Sequence, residues 1–306
     1  MRLNLAPHRS RRTLLLVLAT AIAVLALPTA AAFAGAIAPP DSSGSPNAEG
    51  IRQLYLIILG LALVVFFGVG GLIMYTAFKF KARKGAVAAQ IHGNNRLEVG
   101  WTVGAALLLV VISVVTFLKL DQIDNPPNSP ASGLPVTKNG SFVADGAKER
   151  LPENKKSLTI YVNGQQYLWR YTYEDGDGNN LNNVFSYEEM VAPVNTTVTL
   201  KIRAQDVQHS WWIPALGGKF DAVPGYTNFT WFQATKTGTY TGQCAELCGR
   251  NHANMTARVR IVSVPQFEAW YARQRAQIKL ANAAAKLKRA AADKADKALT
   301  SGTAAQ

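Results

Sequence analysis

Residues 54–78 form a run of 25 residues without a charged side chain, dominated by Leu, Val, Ile, Phe and Gly. A helix of that composition is apolar on every side, and its length exceeds the roughly 20 residues needed to cross a bilayer. The run therefore dictates a membrane span. Lys79, Lys81, Arg83 and Lys84 follow at once, which puts this end in the cytoplasm, because short cytoplasmic loops retain Lys and Arg. A second uncharged run, residues 101–118, opens on Trp101 and stops before Lys119 and Asp121. It brings the chain back across. Nothing beyond Asp121 is long and apolar enough to span again, so the rest of the chain is expected outside.

The segment before the hairpin is read as residues 1–34, a signal peptide, and residues 35–53, a flexible lead-in. The first has a basic start (Arg2, Arg9, Arg11, Arg12), a short apolar run and small residues at Ala30, Ala32 and Ala34, the pattern of a cleavable secretory leader. An uncleaved first membrane helix is the alternative. The second is rich in Pro, Ser and Gly, which favour turns and loops. The formal charge is +13, but the excess sits in the leader, the loop after the first span and the C-terminal tail. A nucleic-acid partner would need that charge on one surface, so none is expected.

Residues 54–119 are thus a two-helix transmembrane anchor. Residues 120–157, with Pro126, Pro127, Pro130, Gly133 and Pro135, read as a linker or insertion. Short β-branched and aromatic runs follow at 158–162, 167–173, 196–203, 227–234, 238–243 and 256–264, separated by Gly, Pro and Asn/Asp breaks. That spacing predicts an antiparallel sandwich or barrel over residues 158–265. Residues 266–306 are rich in Ala, Lys and Arg and read as a basic, solvated surface helix.

The chain has only two cysteines, which excludes a disulfide-rich scaffold and a covalent c-type haem. Both lie in one segment with His252 and Met255, Cys244-Ala-Glu-Leu-Cys248-Gly-Arg-Asn-His252-Ala-Asn-Met255, between two predicted strands. His209 stands 35 residues upstream, expected at the end of another strand. Thiol and thioether are soft ligands that favour copper, and imidazole also suits it. A mononuclear blue-copper site uses one Cys; a second on the same loop permits two thiolates to bridge two coppers, each with one His. Met255 and a backbone carbonyl near Glu246 would complete the coordination. A Cys244–Cys248 disulfide and a Cys2His2 zinc staple are the alternatives, the second disfavoured because zinc sites use Cys, His and carboxylate rather than thioether.

The stretch from His209-Ser-Trp-Trp-Ile-Pro to Val-Pro-Gly225, followed by the cysteine segment, resembles subunit II of haem-copper cytochrome c oxidase. The resemblance implies a mixed membrane/all-β architecture, an N-terminal two-helix transmembrane hairpin plus a cupredoxin-like Greek-key β-sandwich. It implies a dinuclear CuA centre of two copper ions on His209, Cys244, Cys248, His252, Met255 and the Glu246 carbonyl, with the Glu246 side chain reaching a magnesium ion at the subunit I interface. Cytochrome c would be the donor, and haem in subunit I the acceptor, for proton-pumping reduction of oxygen to water. Subunits I and III and the bacterial-type cell membrane are the implied partners, with the C-terminal domain on the periplasmic side. Glu98 aligns with a glutamate at the mouth of a proton channel. Tyr167 occupies the place of the tryptophan through which electrons enter, and Trp169 is retained. Glu174, Asp175, Asp177, Glu188, Glu189 and Asp206 offer either a docking face to a basic cytochrome c or a scattered, solvated face. A CuA subunit of a nitric-oxide reductase-type complex and a membrane-anchored copper chaperone stay open as alternatives.

Overall fold

The computed structural model describes residues 44–81, 85, 87, 90–134, 151–175, 179 and 181–303. The expected signal peptide, most of the lead-in, Asp177 and residues 135–150 of the expected 120–157 linker lie outside them. Helix α1 is Pro46–Lys79 and helix α2 is Asn95–Asp124, and both are long and apolar enough to cross a membrane. The two pack against each other, and Lys119 donates to Gln53 across the pair at 2.7 Å.

Helix α1 starts within the segment expected to be a flexible lead-in. The reason is polar anchoring of the chain just ahead of the span. The Asn47 amide donates to the Trp231 carbonyl, the Ser45 hydroxyl accepts from the Gln233 backbone N–H, and Thr235 N–H donates to the Gly44 carbonyl. Helix α2 is fastened at its other end. Its last carbonyls, those of Ile123 and Asp124, accept from the Trp231 indole N–H at 3.0 and 3.1 Å, which meets the need of a helix terminus for donors. The start of the expected linker is ordered too, since Thr197 takes up the Pro127 carbonyl and the Ser129 hydroxyl.

Among the described residues ten strands form two five-stranded sheets. β1 (Leu158–Gln165), β2 (Leu168–Tyr173), β3 (Phe185–Tyr187), β5 (Thr197–Ala204) and β8 (Asn228–Gln233) make one, in the order β3-β2-β1-β5-β8. β4 (Glu189–Pro193), β6 (His209–Trp212), β7 (Phe220–Ala222), β9 (Gly238–Cys244) and β10 (Thr256–Val262) make the other, in the order β4-β10-β9-β6-β7. The expectation of a wholly antiparallel sandwich is corrected at two places: β1 runs parallel to β5 and β10 parallel to β4. Long crossovers bring non-consecutive strands side by side, and such a connection, unlike a hairpin, allows parallel neighbours. Trp169, Tyr171, Leu200, Ile202, Met190 and Val259 fill the space between the sheets at full burial.

The tail is not solvated throughout. Helix α3 (Val264–Thr303) buries Phe267 and Trp270 against Tyr173, with the Tyr173 and Trp270 rings 5.1 Å apart. Aromatic residues in its first two turns supply a docking face that an Ala/Lys/Arg composition conceals.

Candidate metal centre

The loop that carries the ligands is closed at its base by the strands that flank it. Cys244 ends β9, and its backbone N–H donates to the Met255 carbonyl at 2.9 Å, while Ala245 N–H donates to Ser210 on β6. The first and last side chains of the segment therefore face each other across a strand pair. Between them Gly249 takes a φ of +127°, a conformation suited to glycine, and a short 3₁₀ turn presents His252. His209 opens β6 rather than ending a strand, and β6 pairs with β9 so that Trp211 lies opposite Cys244.

These elements bring the expected donors together. Cys244 Sγ lies 3.9 Å from Cys248 Sγ, 3.9 Å from His209 Nδ1 and 3.3 Å from the Glu246 carbonyl oxygen. Cys248 Sγ lies 3.5 Å from His252 Nδ1 and 3.8 Å from Met255 Sδ. His209, Cys244 and Cys248 offer ligand atoms all within 4.8 Å of one another. The sulfurs are free thiols, their 3.9 Å separation being far beyond the ~2.05 Å of a disulfide. Each thiol has its own imidazole, each imidazole turns Nδ1 inward, and a thioether joins them. That donor set fits soft-metal coordination, and copper in particular. Cys244, Cys248, Met255 and His209 are buried, so water is kept from the sulfurs.

The electrostatics follow from the packing. Burial disfavours the Cys244 thiolate, yet hydrogen bonding to His209 and to the Ser210 and Glu246 backbone outweighs it and the thiol is lowered. Burial and the neighbouring Cys244 charge both push Cys248 up. For His209, burial opposes protonation, but Cys244 and Asp206 more than compensate and raise it.

Asp206 is the functional residue that sequence reasoning placed elsewhere. Its Oδ1 lies 2.9 Å from His209 Nε2, and its other oxygen accepts from Gln166 N–H at 2.7 Å. Against its partial burial, these bonds hold its carboxyl below the usual range. The carboxylate fixes the tautomer that leaves Nδ1 for a metal. The signal was an acid three residues before the histidine. A second support is Gly164 on β1. A β-carbon there would fall 2.9 Å from Trp169 Cζ3 and 3.1 Å from His209 Cδ2. Glycine lets the Trp169 ring meet the His209 ring edge-on, at 5.9 Å between centroids.

The remaining expected residues are placed as follows. Tyr167 sits half-buried in the β1–β2 connection, and a β-carbon on Gly249 would lie 2.7 Å from its hydroxyl. The Gln166 amide beside it donates to the Cys248 carbonyl at 2.7 Å. Glu98 is not part of this cluster. It lies in the first turn of α2, where its carboxylate accepts from Asn94 N–H while the Asn94 side chain accepts from Leu97 N–H, a reciprocal cap. At 1.5 Å per residue it is roughly 40 Å along the helix from the sandwich end.

Residues 178–262 match the family model described as cytochrome C oxidase subunit II, periplasmic domain, and residues 35–119 match the subunit II transmembrane domain. The protein of Rickettsia bellii named "Probable cytochrome c oxidase subunit 2" is 33% identical over 243 residues, 74% of this chain and 80% of that one. The chain belongs to the cytochrome c oxidase subunit II family. Cytochrome c oxidase subunit 2 of Cereibacter sphaeroides is 32% identical over 262 residues, 74% of this chain and 77% of that one. Among solved structures, the periplasmic domain of subunit II of Bradyrhizobium japonicum cytochrome oxidase is 32% identical, covering 45% of this chain and 99% of that chain at a TM-score of 0.37. As a subunit II, the chain is part of a cytochrome c oxidase, with the membrane hairpin and β-sandwich outer domain of that family. Copper binding and association with other oxidase subunits follow from membership.

Proposed function

We propose that this chain is the electron-input subunit of its oxidase, accepting electrons from a cytochrome c on the periplasmic side of a bacterial-type cell membrane. The observation that carries the reading is the paired donor set, two free thiols 3.9 Å apart, each beside an inward-turned imidazole Nδ1. Cys244, Cys248, His209, His252, Met255 and the Glu246 carbonyl would hold two copper ions as a dinuclear CuA centre. Copper held there would supply one-electron redox chemistry between cytochrome c and haem in subunit I, where oxygen would be reduced to water with proton pumping.

The protein's contribution is rigidity and dryness. Asp206 orients His209, the Trp169 ring braces it from behind, and the Cys244–Met255 backbone pairing fixes the loop ends. A cradle so constrained changes little when charge arrives, so little reorganisation is needed. Tyr167, at the surface end of the β1–β2 connection, and buried Trp169 supply aromatic groups between solvent and His209, and we assign them to the path by which electrons enter. The Glu246 side chain is assigned to a magnesium ion at the subunit I interface. Glu98, at the cytoplasmic start of α2, is assigned to the mouth of a proton channel, and subunit III is taken as a further partner. Residues 1–34 are read as a signal peptide.

The test is His252→Ala in the purified oxidase. Copper content and turnover with reduced cytochrome c should fall together while haem content stays unchanged. Full turnover with the copper gone would refute the reading.

A further inference from the structure

The strand register sets two rows of outward-facing side chains across β2, β1 and β5. One row is Thr172, Tyr161 and Lys201, and the other is Arg170, Asn163 and Arg203. Side chains alternate along a strand, and Trp169 and Gly164, at the alternate positions, meet His209 on the inner face. Both rows therefore lie on the side of the sheet away from the metal ligands. In the first row Lys201 is matched by Glu174 at 3.5 Å. The second row holds two guanidinium groups and no acid. They line a cavity of about 720 Å³ to which no aspartate or glutamate contributes.

Arg260 and Arg275 are met by acids as Lys201 is, Glu189 at 2.7 Å and Asp175 at 3.9 Å. Arg170 and Arg203 have no ion pair among the described residues. Aromatic rings hold them instead. Arg170 lies over Phe185 on β3 at 4.7 Å, and Arg203 lies over Tyr161 on β1 at 5.7 Å. Stacking toward β3 draws Arg170 away from Arg203, and the two residues stand two strand spacings apart, about 10 Å. The Nε of Arg170 is buried and lacks a hydrogen-bond partner, an exception among buried donors that calls for a reason. Between the arginines Asn163 donates to Gln205 at 3.3 Å, so side-chain amides as well as guanidinium groups line the cavity.

We propose that this cavity binds a small organic dianion, one of whose carboxylate or phosphate groups is taken by Arg170 and the other by Arg203. A guanidinium fork binds either group in two-point contact. A ring stacked on the face of each fork fixes it and leaves its N–H edge for a ligand. Two anchors held about 10 Å apart select for length, because a single anionic group engages one of them and a dianion of matching span engages both. The volume is that of a small-molecule pocket. The site is independent of the copper reading, since none of the residues that line it belongs to the metal donor set.

The test is isothermal titration calorimetry on the purified, assembled oxidase at constant ionic strength. The probes are acetate, succinate and suberate in one series, and methyl phosphate and hexanediol bisphosphate in the other. Suberate and the bisphosphate should each bind once per chain, about tenfold or more tighter than the monoanion of the same chemistry, with succinate in between. Whichever long dianion binds tighter separates an organic-acid ligand from a phosphate ester. Arg203→Gln changes an exposed residue and leaves Arg170 in place. It should reduce each long dianion to the affinity of its monoanion, with Tm and copper content unchanged. Arg170→Lys, which keeps the charge and loses the fork, should weaken both long dianions as well. Dianions that bind no tighter than monoanions, or binding that Arg203→Gln leaves unaltered, would overturn the proposal.

Discussion

Replacing Gly164 by Ala adds one methyl group where two fully buried rings meet. Gly164 has no positive φ, so alanine suits the backbone, and a glycine-to-alanine change inside a strand would by itself stabilise by about 0.5–1 kcal/mol. The new β-carbon would instead stand 2.9 Å from Trp169 Cζ3 and 3.1 Å from His209 Cδ2. Neither ring has free space, both being 0% exposed, and His209 is also held by Asp206. Overpacking of this kind costs about 1–3 kcal/mol. At the upper end, because both neighbours are rigid, the net loss is about 2–2.5 kcal/mol, a fall of about 4–10 °C in Tm at about 2–4 °C per kcal/mol. The displaced imidazole should also weaken copper binding by about tenfold or more. Differential scanning calorimetry and a copper competition titration read the two effects. Gly218→Ala is the control, since its β-carbon would meet only ordinary contacts at 3.7 Å. If Gly164→Ala matched the control in both assays, the claim that this glycine sets the position of His209 would be refuted.

Three further outcomes are expected. Asp206→Ala frees His209 Nε2 and should weaken copper binding by about 10- to 100-fold with little loss of fold; unchanged affinity would remove Asp206 from the centre's support. Trp231→Phe leaves the Ile123 and Asp124 carbonyls without their indole donor and should destabilise the hairpin–sandwich junction by about 1–3 kcal/mol, seen as a lower Tm with copper retained. Phe267→Ala removes a buried ring from the α3 contact with Tyr173; limited trypsin digestion should then cut at Arg273 and Arg275 sooner, while an unaltered digestion rate would show that the tail docks by other means.

The parts legible in the sequence were those set by local chemistry. A charge-free run specifies a span by itself, and the donors of residues 244–255 are fixed by residue type and spacing on one loop. What escaped was set by tertiary partners. The short strands β3, β4, β6 and β7 have too few residues to show a period, and the parallel pairings arise from crossovers that leave no local mark. Ser45 and Asn47 look like linker residues until Trp231 and Gln233 are opposite them. Asp206 reads as a surface acid until β6 brings His209 against it, and Glu174, Asp175 and Glu189 carry no local sign of the cations that they meet in the fold. Gly164 carries no signal at all, because its need is a gap between two rings from other strands.

The most direct test of the central claim is copper-edge anomalous diffraction from crystals of the assembled oxidase, supported by elemental analysis. Two copper peaks enclosed by Cys244, Cys248, His209, His252 and Met255, two metal atoms per chain, are the result expected. A single zinc atom there, or a covalent bond between the two sulfurs, would contradict it.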